Sequence, residues 1–132
     1  MTFDVIDYIA ECFAEGGLPA RITGKFVVLR NGEHRVAVFA PRELAVYHAN
    51  IVERFLAGRG IAGRYNPRGD AFRPATDAWH IEGGGLWDWD RAGGLVEIYG
   101  RSRSYGSVEL DLLAADLRET GAFDGATVVA RR

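Results

Sequence analysis

Two runs of β-branched and aromatic residues, Lys25–Arg30 and Arg35–Ala40, are joined by a turn containing Asn31-Gly32. Val, Phe and Leu suit a pleated, half-buried surface, and Asn-Gly takes up the positive φ angles that a tight connection needs, so these residues predict a β-hairpin. The rest of the chain is organised around it. Phe3, Ile6, Ala10 and Phe13 recur at helical spacing ahead of Gly16-Gly17, predicting a helix over residues 3–15. Pro41 predicts a second helix running to about Gly58, with Leu44, Tyr47, His48, Ile51 and Phe55 on one face. Asn66 to Asp77 reads as a loop. Ala78 to Glu82 and Leu86 to Asp90 read as strand, interrupted by Gly83-Gly84-Gly85, and Leu95 to Gly100 as the next strand. A helix from about Ser107 to Thr120 and a strand over Ala126–Ala130 complete the chain. With no repeat, linker or low-complexity tract, the expectation is one α+β domain over residues 1–132. Its mixed, mainly antiparallel sheet of about six strands is flanked by helices, and residues 1–20 form a helical extension.

Charge and cysteine content narrow the setting. A formal net charge of −2 over 132 residues argues against non-specific nucleic-acid binding, which needs many cations to release counterions. No apolar run is long enough to span a membrane. The single cysteine, Cys12, cannot form an internal disulfide, which favours a reducing cytoplasm. Lys25 is the sole lysine, whereas the other 15 cations are arginine. A lone ammonium in an arginine-rich chain hints at a place where a compact point charge is wanted.

Two segments share one design, a strand followed by a short polar turn and a helix start: Phe39 to Asn50, and Tyr99 to Val108. A helix start presents unpaired N–H groups and about half a positive charge, so it accepts anions. In the second segment Arg101, Ser102, Arg103, Ser104 and Ser107 fit a phosphate cradle. By themselves they fit better still a solvated turn with Ser107 as an ordinary cap. His48, in the apolar stripe of its helix, likewise suits packing better than catalysis when read alone.

Read together, the segments resemble the phosphohistidine phosphatase (Janus/Ocnus) family. Gly24-Lys25-Phe26-Val27-Val28-Leu29-Arg30 is similar to that family's first core strand. Tyr47-His48-Ala49-Asn50-Ile51 resembles its Tyr-His-Ala-Asp-Ile stretch, and Ile98-Tyr99-Gly100-Arg101-Ser102-Arg103-Ser104-Tyr105-Gly106 its Val-Tyr-Gly-x-Ser-x-x-Tyr-Gly signature. Gly83-Gly84-Gly85 matches a triple glycine at the same spacing from the signature. The resemblance implies a metal-independent, cofactor-free phosphatase acting on a phosphorylated protein or small phosphorylated substrate. It implies His48 as the catalytic imidazole and Lys25 facing the phosphoryl group. The Ala49 N–H, the Ser102 side chain and the N–H groups of Arg103 and Ser104 would hold the phosphoryl oxygens. It also implies that the second helix starts at His48, against the start at Pro41 that the residues themselves suggest.

The chain departs from the pattern in three places. Leu86 stands where the family has an arginine, so Arg101 and Arg103 are candidates to compensate, and a phosphate- or phosphopeptide-binding module without catalysis is the alternative function. Asn50 replaces an acid. The 66–77 loop, carrying Arg68, Phe72 and Arg73, is longer than its family counterpart, and a tolerated insertion is favoured over a lid. A metal hydrolase is a further alternative, with His80 and Glu82 or Asp88 and Asp90 as ligands. Strand alternation against Trp87 and Trp89 accounts for these polar residues without one.

Overall fold

A computed structural model describes all of residues 1–132. The predicted hairpin is its centre: β2 (Arg21–Asn31) pairs antiparallel with β3 (His34–Pro41), from Asn31↔His34 to Gly24↔Pro41. The connection is Gly32-Glu33, one residue later than Asn31-Gly32. Only Gly32 has positive φ, at 60°, the pattern of a type II′ turn with glycine first.

The hairpin is extended on both sides. β6 (His80–Asp90) pairs with the other edge of β2, β7 (Leu95–Tyr99) with β6, and β8 (Thr127–Ala130) runs parallel to β7. At the far edge β1 (Thr2–Asp7) runs parallel to β3, giving six strands in the order β1-β3-β2-β6-β7-β8. The fold is the expected α+β domain with a mixed, mainly antiparallel sheet.

The predicted helix over 3–15 shrinks to α1 (Ile9–Phe13), and its first half is β1. The edge of β3 offers a row of backbone groups that need partners. β1 supplies them, with Phe3 and Val5 packing toward one core and Ile6 toward the other. The alternation of a strand overrides the chance helical spacing. Asp7 then turns the chain, its Oδ1 accepting the Ile9 N–H at 3.1 Å.

The sheet has an apolar core on each face. On one, Phe26, Phe39, Trp87, Trp89 and Ile98 meet Leu113 and Leu117 of α3 (Leu110–Thr120) and Phe123 of the single turn α4 (Ala122–Gly125). On the other, Val27, Leu29, Val36 and Val38 meet Ala49, Ile51, Val52, Phe55 and Leu56 of α2 (His48–Ala57). Each buried Val, Leu, Ile or Phe among them contributes roughly 1.5–3 kcal/mol.

Four further boundaries differ from the reading of the residues alone, the first of them in the way the resemblance implies. Pro41 closes β3 and residues 42–47 form an irregular turn, so α2 starts at His48, seven residues later than the proline suggests. α3 starts at Leu110, which leaves Ser107 outside the helix and not its cap. The triple glycine does not interrupt a strand, because it lies inside the continuous β6. Within 66–77, β5 (Phe72–Pro74) pairs with β4 (Gly63–Tyr65). No helix is long and apolar enough to cross a membrane.

Candidate functional site

The cross-strand register sets the floor of the site. Lys25 of β2 lies opposite Leu86 of β6, and Leu86 opposite Tyr99 of β7. Directly paired residues project to the same face, here the face covered by α2. One step along, Val27 opposes Gly84, and the His48 ring packs against that glycine. A Cβ at Gly84 would lie 2.4 Å from the Phe26 carbonyl oxygen and 2.9 Å from His48 Cδ2. Any side chain there would displace either the strand or the imidazole.

The segment before α2 brings His48 onto this floor. Asn50 Oδ1 accepts from the N–H groups of Val46 (3.1 Å) and Tyr47 (2.9 Å), folding 46–50 into a closed turn. Asn50, read from sequence as an uncharged substitute for an acid, keeps the acceptor role that this turn needs. The first-turn N–H groups of His48 and Ala49 make no bond within the protein, whereas the Asn50 N–H donates to the Tyr47 carbonyl at 3.0 Å. Helix geometry leaves such groups for an outside acceptor.

His48 is 7% exposed, and its Nε2 lies 2.8 Å from the Gly85 carbonyl oxygen. A carbonyl only accepts, so Nε2 carries the proton and Nδ1 keeps its lone pair. Nδ1 has no partner in the protein, yet it is not sealed from solvent, and His48 lines the pocket beside it. Burial pushes the His48 pKa below its ordinary 6.5, and the Lys25 ammonium pushes the same way. The Gly85 carbonyl opposes both without overcoming them. At neutral pH His48 is therefore an uncharged base with a fixed tautomer.

The third wall is the loop after β7. Ser102 and Gly106 close it with reciprocal backbone bonds of 3.0 and 2.9 Å, and Ser102 Oγ accepts the Tyr105 N–H at 3.1 Å. The N–H groups of Arg103 and Ser104, at the tip, make no bond within the protein. The loop is tied in turn to the β4–β5 ribbon. The Tyr105 hydroxyl accepts from the Phe72 N–H (2.7 Å) and donates to the Phe72 carbonyl (2.9 Å), while Ser104 Oγ donates to the Asp70 carbonyl (2.8 Å). The 66–77 segment is thus fastened to the site and is not a free surface insertion.

These walls enclose a pocket of about 300 Å³, lined by Lys25, Val46, Tyr47, His48, Asp70, Leu86, Arg101, Arg103 and Ser104. None of Lys25, Arg101 and Arg103 forms an ion pair, so three free cations face one carboxylate, Asp70. Of the residues singled out from sequence, Lys25, His48, Arg103 and Ser104 meet here. Ser102 does not line the pocket: it is fully buried, and its hydroxyl braces the loop from within. Ala49 is buried too and offers only its backbone. Leu86 forms part of the floor, and Arg101 and Arg103 line the pocket from the loop after β7.

Sequence reasoning missed Asp70, which reads as part of an Arg-Gly-Asp turn and reaches the pocket only because the ribbon folds back on the 100–106 loop. The carboxylates of the metal alternative are committed elsewhere. Glu82 pairs with Arg30 and Arg35, and Asp88 with Arg21.

No model of a known protein family matches the chain, and no curated protein matches it at a significant level.

Proposed function

We propose that this pocket hydrolyses a phosphoryl group through His48, releasing phosphate from phosphohistidine or a related phosphoramidate or phosphoester. Within this proposal the chain is a phosphohistidine phosphatase-like enzyme of the cytoplasm that needs neither metal nor cofactor. The observation that carries it is one pocket lined by neutral His48, whose Nδ1 has no partner, and by the unpaired ammonium of Lys25, beside the uncommitted N–H groups of Arg103 and Ser104.

Phosphoryl transfer asks a protein to position the group and to neutralise charge on its equatorial oxygens. The N–H groups of Ala49, Arg103 and Ser104 and the Lys25 ammonium supply donors of the right kind. As general base, His48 Nδ1 removes a proton from the attacking water while the water oxygen bonds to phosphorus and the leaving group departs with its electron pair. Such a base contributes roughly 10²- to 10⁴-fold. As nucleophile, the same lone pair attacks phosphorus while the leaving group departs with its electron pair, and water then cleaves the new P–N bond to give phosphate and free His48.

The test compares wild type and His48→Ala on a phosphohistidine peptide in excess chelator. Loss of at least roughly 10²-fold in kcat/KM is expected for the variant. The wild-type kcat/KM should hold through neutral pH and fall only below the ordinary imidazole value of 6.5, since the depressed pKa keeps Nδ1 unprotonated to lower pH. Equal phosphate release by both proteins would remove the assignment. Phosphate binding without turnover in wild type would leave a phospholigand-binding module instead.

A further inference from the structure

Asp70 is the one pocket group that phosphate binding does not explain. An ionised carboxylate offers acceptors only and repels a phosphoryl dianion. Yet it is held in place from three sides. Its N–H donates to Asn66 Oδ1 (3.0 Å), its Oδ1 accepts from Asn66 Nδ2 (2.7 Å) and its carbonyl accepts from Ser104 Oγ (2.8 Å). Asp70 Oδ2 is left over. It has no partner in the protein and is open to solvent, and neither Arg101 nor Arg103 pairs with it although both line the same pocket.

We infer that Asp70 Oδ2 accepts the N–H of a nitrogen leaving group and makes the site selective for phosphoramidates over phosphate esters; the inference rests on the phosphatase reading above. A phosphorylated imidazole leaves easily only when its second ring nitrogen is protonated. The P–N bond then breaks with its electron pair staying on the departing nitrogen, and neutral imidazole is released. A carboxylate that accepts from the second N–H favours this protonated form. The attacking water bonds to phosphorus and gives its proton to His48, so no other proton donor is needed. An ester oxygen carries no N–H, and for it Asp70 offers only repulsion. The three cations of the pocket offset that charge while a dianion is bound. Asp70 belongs to the segment in which the chain is longer than the pattern it resembles, so this contact to the leaving group would be this chain's own.

Asp70→Asn tests this, because the amide oxygen still accepts from Asn66 while the charge is gone; an unchanged melting temperature checks that the ribbon is intact. The probes are a phosphohistidine peptide and p-nitrophenyl phosphate, assayed with wild type and variant. The expected result is a fall of about 10- to 100-fold in kcat/KM on the phosphohistidine peptide, with turnover of the aryl ester unchanged or improved. Equal effects on both substrates, or no effect on either, would overturn the role of Asp70 and leave the phosphatase reading standing. A wild type inert on both would overturn that reading and this inference with it.

Discussion

The turn that leads into α2 and the loop that follows β7 look alike in sequence, and the structure builds them by different means. The first is an open helix start: Asn50 reaches back to the N–H groups of Val46 and Tyr47, and His48 and Ala49 keep theirs free. The second is a closed loop, clamped by Ser102 and Gly106, whose helix begins only at Leu110. Each leaves two N–H groups without a partner in the protein, although Ala49 is fully buried and only His48, Arg103 and Ser104 line the pocket. On the proposed reading a helix start is not needed at each wall, because a tight loop whose tip amides lack partners offers the same kind of donors. The braces differ accordingly, one exposed to water at the turn surface, the other sealed beneath the loop.

That difference should appear first in stability. Ser102→Ala removes the only acceptor of the Tyr105 N–H from a fully buried position, and an unpaired buried donor costs about 1–3 kcal/mol. A loss in this range by denaturant melting, with weakened phosphate binding, is the expected outcome. Because Tyr105 also anchors Phe72, the β4–β5 ribbon should exchange its amide hydrogens faster. A variant as stable as wild type would mean that the backbone clamp alone holds the loop.

Asn50→Ala should cost less, about 1 kcal/mol, the usual penalty for losing a capping side chain. The Val46 and Tyr47 N–H groups belong to exposed residues and can turn to water, whereas the Tyr105 N–H belongs to a half-buried residue whose acceptor Ser102 is fully buried. Tyr47 is 46% exposed, which is why the penalty stays small. Activity should fall further than stability, since the turn aims His48 at Gly85. If Asn50→Ala destabilises more than Ser102→Ala, the contrast between an exposed and a buried brace is wrong.

How much of this was legible in the sequence varies with the range of the interaction. The hairpin was legible because Val27, Val28, Val36 and Val38 and the Asn31-Gly32 turn act locally. β1 was not, because residues 2–7 are strand only on account of the β3 edge beside them. The triple glycine reads as a break, since what makes glycine necessary at position 84 is a ring brought from a different element. Lys25, His48, Arg103 and Ser104 were singled out with the family pattern as guide and do meet in one pocket. Their convergence depends on the register Lys25↔Leu86↔Tyr99, which no local signal encodes. Ser102 was placed at the ligand, whereas its hydroxyl points into the fold; residue type alone does not separate a lining serine from a bracing one. Asp70 had no signal at all beyond a turn.

The smallest stability effect should come from the residues that face water most freely. Arg101 and Arg103 are exposed and form no ion pair, so Arg101→Ala and Arg103→Ala should each change stability by no more than about 0.5 kcal/mol. On the proposed reading their contribution goes to a bound phosphate. With Leu86 on the floor, the pocket has only Lys25 as a cation on that side, and the two guanidiniums supply charge from the opposite wall. An exposed cation opposite an anion is worth about 0.2–1 kcal/mol, up to roughly a fivefold change in affinity for each arginine. The effect should shrink as salt is raised toward 1 M, where the screening length falls to about 3 Å. Titration of inorganic phosphate into wild type, both single variants and the double variant, at low and high salt, measures it. An affinity unmoved in the double variant would leave the second loop contributing amides alone. The two walls would then be equivalent in chemistry as well as in geometry, and Leu86 would mark a lost contact that nothing in this chain replaces.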